Sequence, residues 1–258
     1  MTIPAYLPYY VITGSFGIIA AILLGLRDSL IKADWSTHER DRTIRTVSAG
    51  IIGWFVVAVM LALLGAYHAA SDRIPTIQYG IFVPIIIGVL LFYRSPTVRR
   101  LIGVVPQHWL VGIQVYRALG VIFLILYASG KLPGLFAWPA GLGDMLVGIF
   151  APFVALAYAR GPRENRDWIY AWNIFGLVDL AVAVGMGFMT SPSSLQRFAF
   201  YLPNELITMF PLVLIPTFLV PVSVMLYLAS LSKLTVDDQV KQGVEKTGGH
   251  LPGRSSKF

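Results

Sequence analysis

Three ionisable residues lie inside long apolar segments of this chain. Arg117, Asp144 and Asp179 each stand within a run of mostly uncharged residues. A charged side chain at the centre of a bilayer costs about 2.5 to 3.5 kcal/mol or more unless it is paired or hydrated. One guanidinium cannot neutralise two carboxylates, so one aspartate must be protonated, bind a cation or contact water. A proton- or cation-coupled carrier requires a carboxylate of this kind, which can take up and release a proton or a cation.

Small residues share a helical face with both aspartates, which favours close packing against neighbouring helices. Around Asp144 this face comprises Ala137, Gly141, Gly148, Ala151 and Ala155. Gly176 and Ala183 flank Asp179, with Asn173 nearby, and Gln114 precedes Arg117 by three residues on the same helical face. The sequence therefore predicts a substrate- or ion-binding cluster inside a helix bundle, formed by Gln114, Arg117, Asp144, Asn173 and Asp179.

The composition excludes an ordinary soluble domain. Hydrophobic residues make up 56% of the 258 residues and charged residues only 13%, where soluble proteins carry about 25% charged residues. Uncharged runs of about twenty residues match helices that cross a hydrocarbon core of about 30 Å. We therefore predict an all-α integral membrane protein, with a seven-helix transmembrane domain over residues 1–232. The predicted spans are 7–26, 48–68, 77–93, 109–129, 134–159, 168–190 and 203–231.

The distribution of lysine and arginine predicts the orientation, because positively charged flanks stay in the cytoplasm. Of the 20 Lys and Arg residues, 16 fall in the first, third and fifth connections and the C-terminal segment. Arg73, Lys131 and Arg197 fall on the opposite side, and Arg117 lies within a span. The N-terminus is therefore predicted outside and the C-terminus in the cytoplasm, with residues 233–258 forming a disordered cytoplasmic tail.

The last predicted span contains several prolines, at positions 203, 211, 216 and 221. A proline inside a helix lacks an N–H and leaves a carbonyl without its helical partner. Free carbonyls at membrane depth persist only beside protein or water. The pattern is compatible with a broken helix that lines a cavity and equally with a bent structural helix.

Several function classes are disfavoured. The chain has no cysteine, which excludes disulfides and thiolate metal sites. His68 and His108 fall on opposite membrane faces in this topology, so they cannot share a metal or haem. The positive charge is a topology signal that adds attraction to anionic lipid heads rather than nucleic-acid binding. We expect no cofactor, no metal and no nucleic acid; the expected partners are the lipid bilayer and a small ion or solute. The sequence identifies no protein partner.

The motifs match neither of two known classes of membrane protein in full. Gly141-Leu-Gly-Asp144 matches the GxGD element of intramembrane aspartyl proteases, but the partner aspartate of that family comes from the preceding helix, where this chain has Arg117. The family's Pro-Ala-Leu element is also missing. A retinal protein would need a lysine in the seventh helix, and residues 203–231 contain none.

Four elements of the second half resemble uncharacterised bacterial multi-pass membrane proteins. They are Gln114-Val-Tyr-Arg117, Ala140-Gly-Leu-Gly-Asp144, Trp172-Asn-Ile-Phe-Gly-Leu-Val-Asp179 and Pro211-Leu-Val-Leu-Ile-Pro216. The resemblance covers under half of the chain and implies a bacterial inner-membrane setting, without an activity or a substrate.

The leading hypothesis is a small proton- or cation-coupled transporter in the bacterial inner membrane. In it, Arg117 pairs an anionic group and Asp144 or Asp179 exchanges a proton or cation. The alternative is a non-catalytic membrane partner or sensor subunit whose buried ion pair is structural. An intramembrane aspartyl protease is third, so the protein is not expected to be an enzyme.

Overall fold

The computed structural model describes residues 3–69, 71 and 74–248, with side chains to Thr235. This part of the chain is helical and contains no strand. Its α-helices are α1 Leu7–Lys32, α2 Thr37–Leu63, α3 Ile77–Arg94, α4 Pro96–Val104, α5 Gln107–Gly112, α6 Val121–Ala128, α7 Gly134–Arg160, α8 Arg166–Thr190 and α9 Val220–Gly248. Shorter 3₁₀-helices occupy Ile113–Gly120 and Leu206–Thr208, and a π-helix occupies Ile215–Leu219.

Seven helical segments among the described residues are long and apolar enough to cross a membrane. The fourth span, Gln107–Ala128, joins α5, the first 3₁₀-helix and α6, and the seventh span is Ile215–Thr235. Large apolar side chains cover the outer surface of the bundle, as on α3, where Phe82, Ile86 and Leu90 are about half exposed. Such a surface fits a lipid environment. The predicted all-α fold, with seven helical segments long and apolar enough to span a membrane, is confirmed for the described residues.

Two ends of the bundle are distinguished by long-range contacts. At one end, here called the amino face because α1 begins there, the Ala69 N–H donates to the Thr208 hydroxyl at 3.3 Å. At the other end, here called the basic face, Arg166 donates to the Leu234 carbonyl at 2.8 Å. The guanidinium of Arg100 also lies 4.8 Å from the Trp35 ring centre there.

The first connection is shorter than predicted, because α1 and α2 extend to Lys32 and back to Thr37. Ser36 explains the early start of α2: its hydroxyl accepts from the Glu39 N–H at 3.3 Å and donates to the Glu39 carboxylate at 3.1 Å. This N-cap interaction satisfies an N–H that would otherwise lack a partner. The basic third connection likewise folds into α4, whose side chains are all at least partly exposed.

The prediction that the last span begins at residue 203 is wrong. Residues 203–214 form turns and a 3₁₀-helix at the amino face, and the spanning helix begins at Ile215. Pro216 cannot donate to the Leu212 carbonyl, which instead accepts from the Ile215 N–H at 3.0 Å. Helix α9 then continues to Gly248 through much of the segment predicted as a disordered tail. The rest of that segment lies outside the described residues.

Helix α7 lies at the centre of the second half of the molecule, packed against the fourth span and α8. The small residues predicted to face protein, Ala137, Gly141, Gly148, Ala151 and Ala155, are all buried. Their size lets the neighbouring backbones approach closely, which brings polar side chains from four spans into contact.

Candidate functional site

Arg117 contacts both predicted aspartates inside the spanning part of the bundle. Its Nε donates to Asp144 Oδ1 at 2.7 Å, and its Nη2 contacts Asp144 and Asp179. The side chains of Arg117, Asp144 and Asp179 are 2%, 15% and 9% exposed. Three members of the predicted cluster are therefore in contact, and both carboxylates pair with Arg117.

The remaining donors of Arg117 are also occupied. Its Nη1 donates to the Tyr227 hydroxyl at 2.8 Å and to the Gly176 carbonyl at 3.3 Å. A guanidinium has five N–H donors, and five acceptor contacts are present. The Arg117 guanidinium, which belongs to the fourth span, is therefore bound by groups of α7, α8 and α9. We call Arg117, Asp144, Asp179 and Tyr227 the Arg117 cluster.

Three glycines make room for this cluster. A Cβ at Gly120 would lie 2.6 Å from Asp144 Oδ2, and one at Gly143 or Gly176 would overlap Asp179 or the Tyr227 hydroxyl. Any larger residue at these positions would push a charged or hydroxyl group away from Arg117. The Gly-x-Gly-Asp sequence of α7 thus has a packing role here, because Gly141 and Gly143 admit Leu124 and the Asp179 carboxylate.

Asp144 is the member of the cluster that lines both neighbouring cavities. It lines a cavity of about 60 Å³ that extends to Tyr67, Ser191 and Thr208 at the amino face. A second cavity of about 40 Å³ borders both Asp144 and Arg117. Within the described residues, Asp144 Oδ1 receives the two contacts from Arg117 and Oδ2 accepts no hydrogen bond.

Gln114 and Asn173 do not join the ion pairs. The Gln114 side chain is buried and donates to the Ser223 carbonyl at 3.4 Å, while its Oε1 has no partner in the described part of the chain. Asn173 donates to the Ile169 carbonyl on its own helix at 2.6 Å. The five-residue cluster predicted from sequence therefore separates into an ionic centre and two flanking amides. Their assignment to substrate or ion binding stays a prediction.

Sequence reasoning missed Tyr227, which is 1% exposed and whose ring centre lies 5.9 Å from the Arg117 guanidinium carbon. It also missed Tyr116, whose hydroxyl donates to the Leu219 carbonyl at 3.1 Å and contacts the Ser223 hydroxyl. Tyrosines and serines are unremarkable in apolar spans, and these contacts join residues more than 100 positions apart. No local signal in the sequence marks them.

The described residues contain no group of three or more His, Asp or Glu side chains placed to hold a metal ion. The two aspartates of the cluster are separated by a guanidinium rather than by open space. That arrangement differs from a pair of carboxylates activating a shared water, since Arg117 Nη2 occupies the position between them.

We expect Gly148→Ala to lower the free energy of unfolding by about 1 to 3 kcal/mol, the usual effect of overpacking. Its added Cβ would lie 2.7 Å from the Ala118 Cα, a backbone atom that cannot rotate away. Gly185→Ala is the matched control, because nothing lies within 4 Å of its added Cβ; it should be neutral or gain about 0.5 to 1 kcal/mol. Equal effects of the two changes on SDS-induced unfolding in mixed micelles would contradict this packing.

The family model described as "Domain of unknown function (DUF8737)" matches residues 74–235, which is more than half of the chain and includes the whole Arg117 cluster. No curated protein and no solved structure matches the sequence. The resemblance to an uncharacterised family agrees with this finding.

Proposed function

This chain belongs to the DUF8737 family, and we propose that it is a small proton- or cation-coupled transporter in which Asp144 is the exchanging group. One observation carries the proposal: Asp144 joins the buried ion cluster to the cavity that extends toward the amino face. Ionisable residues inside a membrane commonly mark an ion pathway or a proton relay. A carboxylate that is bonded to arginine through one oxygen and belongs to a residue lining a cavity suits this role.

The charge balance supports exchange at Asp144. One arginine and two aspartates leave a formal excess of one negative charge in the Arg117 cluster. A proton or a monovalent cation at Asp144 removes this excess. Asp179, at 9% exposure, and the buried Tyr227 keep Arg117 in place meanwhile.

The sequence predicts that Arg117 pairs directly with an anionic group. In the proposed transport mechanism Arg117 becomes available to a solute only after Asp144 is protonated. Its five donors are occupied, so an anionic solute has to replace an existing acceptor. Protonation of Asp144 weakens its hold on the guanidinium and makes two N–H contacts available. Proton uptake and anion binding are thereby coupled at one side chain, and the cluster offers a basis for symport.

Two helical segments that depart from α-helical geometry lie beside the site. The 3₁₀-helix Ile113–Gly120 carries Arg117, and the π-helix Ile215–Leu219 borders both cavities. Short 3₁₀ and π segments within spanning helices often mark hinges or functional sites. Shifts in these two segments would alter the cavities on either side of Asp144.

The second candidate is a membrane partner or sensor subunit with a structural ion cluster. The saturated guanidinium favours it, because five hydrogen bonds to three neighbouring helices fix the relative positions of four spans. An intramembrane protease receives no such support, since Arg117 lies between the aspartates.

The test is proton movement in liposomes that contain the purified protein and a lumenal pH-sensitive dye. Amino acids, sugars, organic acids and inorganic ions are added in turn at a fixed membrane potential. A transporter should give proton flux with at least one solute class and none in protein-free liposomes. A folded protein that moves no proton and no radiolabelled solute with any class would contradict the proposal and favour the subunit.

We also propose a bacterial inner-membrane location with the N-terminus outside, from the distribution of basic residues. The absence of cysteine permits a direct test. Lys131→Cys, at the amino face, should react with a membrane-impermeant maleimide in intact spheroplasts. Arg163→Cys, in the connection between α7 and α8, should react only after permeabilisation. The reverse pattern would overturn the orientation.

A further inference from the structure

A large cleft opens at the basic face, away from the Arg117 cluster. Its volume is about 830 Å³, and α3, α4, α8 and α9 contribute its walls. Apolar side chains of α3 and α9, among them Val89, Phe92 and Leu231, line one part of it. The cleft also contains polar groups, so it differs in chemistry from the small apolar cavity beside Asp144.

Two basic side chains belong to this cleft, Arg99 and Lys233. The described lining contains no acidic residue. Arg99 Nη1 donates to the Tyr93 carbonyl at 2.6 Å, which orients the guanidinium next to the end of α3. Lys233 donates to the Gly103 and Val105 carbonyls at 2.7 and 2.6 Å, beside the end of α4. Hydrogen bonds to backbone carbonyls thus hold both cations in the lining of the cleft.

The apolar wall is continuous with the lipid-facing surface. Leu90 and Leu91, which adjoin Val89 and Phe92 on α3, are 52% and 51% exposed. Tyr93 and Tyr170 are more than half exposed and line the cleft, and tyrosine is typical of the membrane–water interface. An occupant therefore meets apolar side chains on one part of the lining and cationic donors on another.

We propose that this cleft binds an anionic phospholipid of the leaflet at the basic face. An acyl chain would lie along Val89, Phe92 and Leu231, and the phosphate would be bound by Arg99 and Lys233. Basic pockets between spanning helices suit anionic lipid headgroups, and a soluble anion would leave the apolar wall unused. The lipid site is separate from the proposed transport site, so this proposal does not depend on whether the protein is a transporter.

The test measures lipid binding by native mass spectrometry of the full chain released from detergent micelles. Phosphatidylglycerol and phosphatidylcholine with identical acyl chains are titrated in parallel. Phosphatidylglycerol should bind more tightly, and Arg99→Gln or Lys233→Gln should each weaken it about fivefold, the equivalent of about 1 kcal/mol per basic residue near an anionic lipid surface. Binding of phosphatidylcholine should change little.

Arg100→Gln is the matched control, since Arg100 is on the same helix but lies over the Trp35 ring and outside the cleft. It should retain the preference, as should Arg99→Lys, which keeps the charge; circular dichroism checks that each variant is folded. If Arg99→Gln and Arg100→Gln weakened phosphatidylglycerol binding equally, the proposal would be wrong, because the lipid would then be attracted by the basic surface in general. Equal binding of the two lipids, or displacement of phosphatidylglycerol by millimolar inorganic phosphate, would also overturn it.

Discussion

Replacing Arg117 by leucine is expected to destabilise the protein by about 3 to 5 kcal/mol, because it leaves buried carboxylates without their cation. The change also removes the donors that satisfy the Tyr227 hydroxyl and the Gly176 carbonyl. Reversible unfolding in mixed micelles of increasing SDS content measures the loss. Arg163→Leu is the control: Arg163 is exposed in the connection between α7 and α8, and surface changes usually stay within about 0.5 kcal/mol.

If uncompensated carboxylates cause the destabilisation by Arg117→Leu, then removing their charges should restore stability. In the variant that combines Arg117→Leu with Asp144→Asn and Asp179→Asn, no charge remains in the Arg117 cluster, and the part of the stability lost through uncompensated charge should return. If Arg117→Leu alone were as stable as Arg163→Leu, the ion pairs would not support the fold. A triple variant that is folded and still carries out solute-driven proton flux would refute transport through these charges.

Asp144→Asn is expected to abolish solute-driven proton flux in liposomes, reducing it to the protein-free background. Asparagine keeps the shape of the side chain and can still accept from Arg117, but it does not exchange a proton at neutral pH. It also leaves Arg117 and Asp179 as a balanced pair, so the protein should remain folded. The measurement is the initial rate of dye response after addition of the active solute.

Asp167→Asn is the matched control for this experiment, because Asp167 is exposed in the first turn of α8. It should leave the flux unchanged. Asp179→Asn separates the two aspartates of the cluster: Asp179 is the less exposed one and does not line either cavity, so it should retain part of the flux. Full activity in Asp144→Asn, with loss only in Asp179→Asn, would contradict the proposal and show that Asp179 is the exchanging group.

The positions of the spans were predictable because the bilayer imposes a length and a composition on each one. The buried pairing of Arg117 was predictable for a related reason: an isolated charge at depth is costly, and the small faces around Asp144 and Asp179 indicate where helices approach. The start of the seventh span was not predictable from hydropathy, because residues 206–214 are as apolar as a span. Their burial against other segments at the amino face leaves them irregular.

The sequence by itself determined that the chain forms seven apolar helices and that Arg117, Asp144 and Asp179 need partners, since both follow from local composition and the cost of charge in hydrocarbon. Only the tertiary structure decided which groups became those partners. Tyr227 and the Gly176 carbonyl reach Arg117 from α9 and α8, and glycines at positions 120, 143 and 176 leave space for Asp144, Asp179 and the Tyr227 hydroxyl. Gln114 and Asn173, on suitable faces by helical spacing, bond elsewhere. Helical spacing defines a direction around one axis, whereas a contact depends on the distance and rotation between two helices, which packing sets.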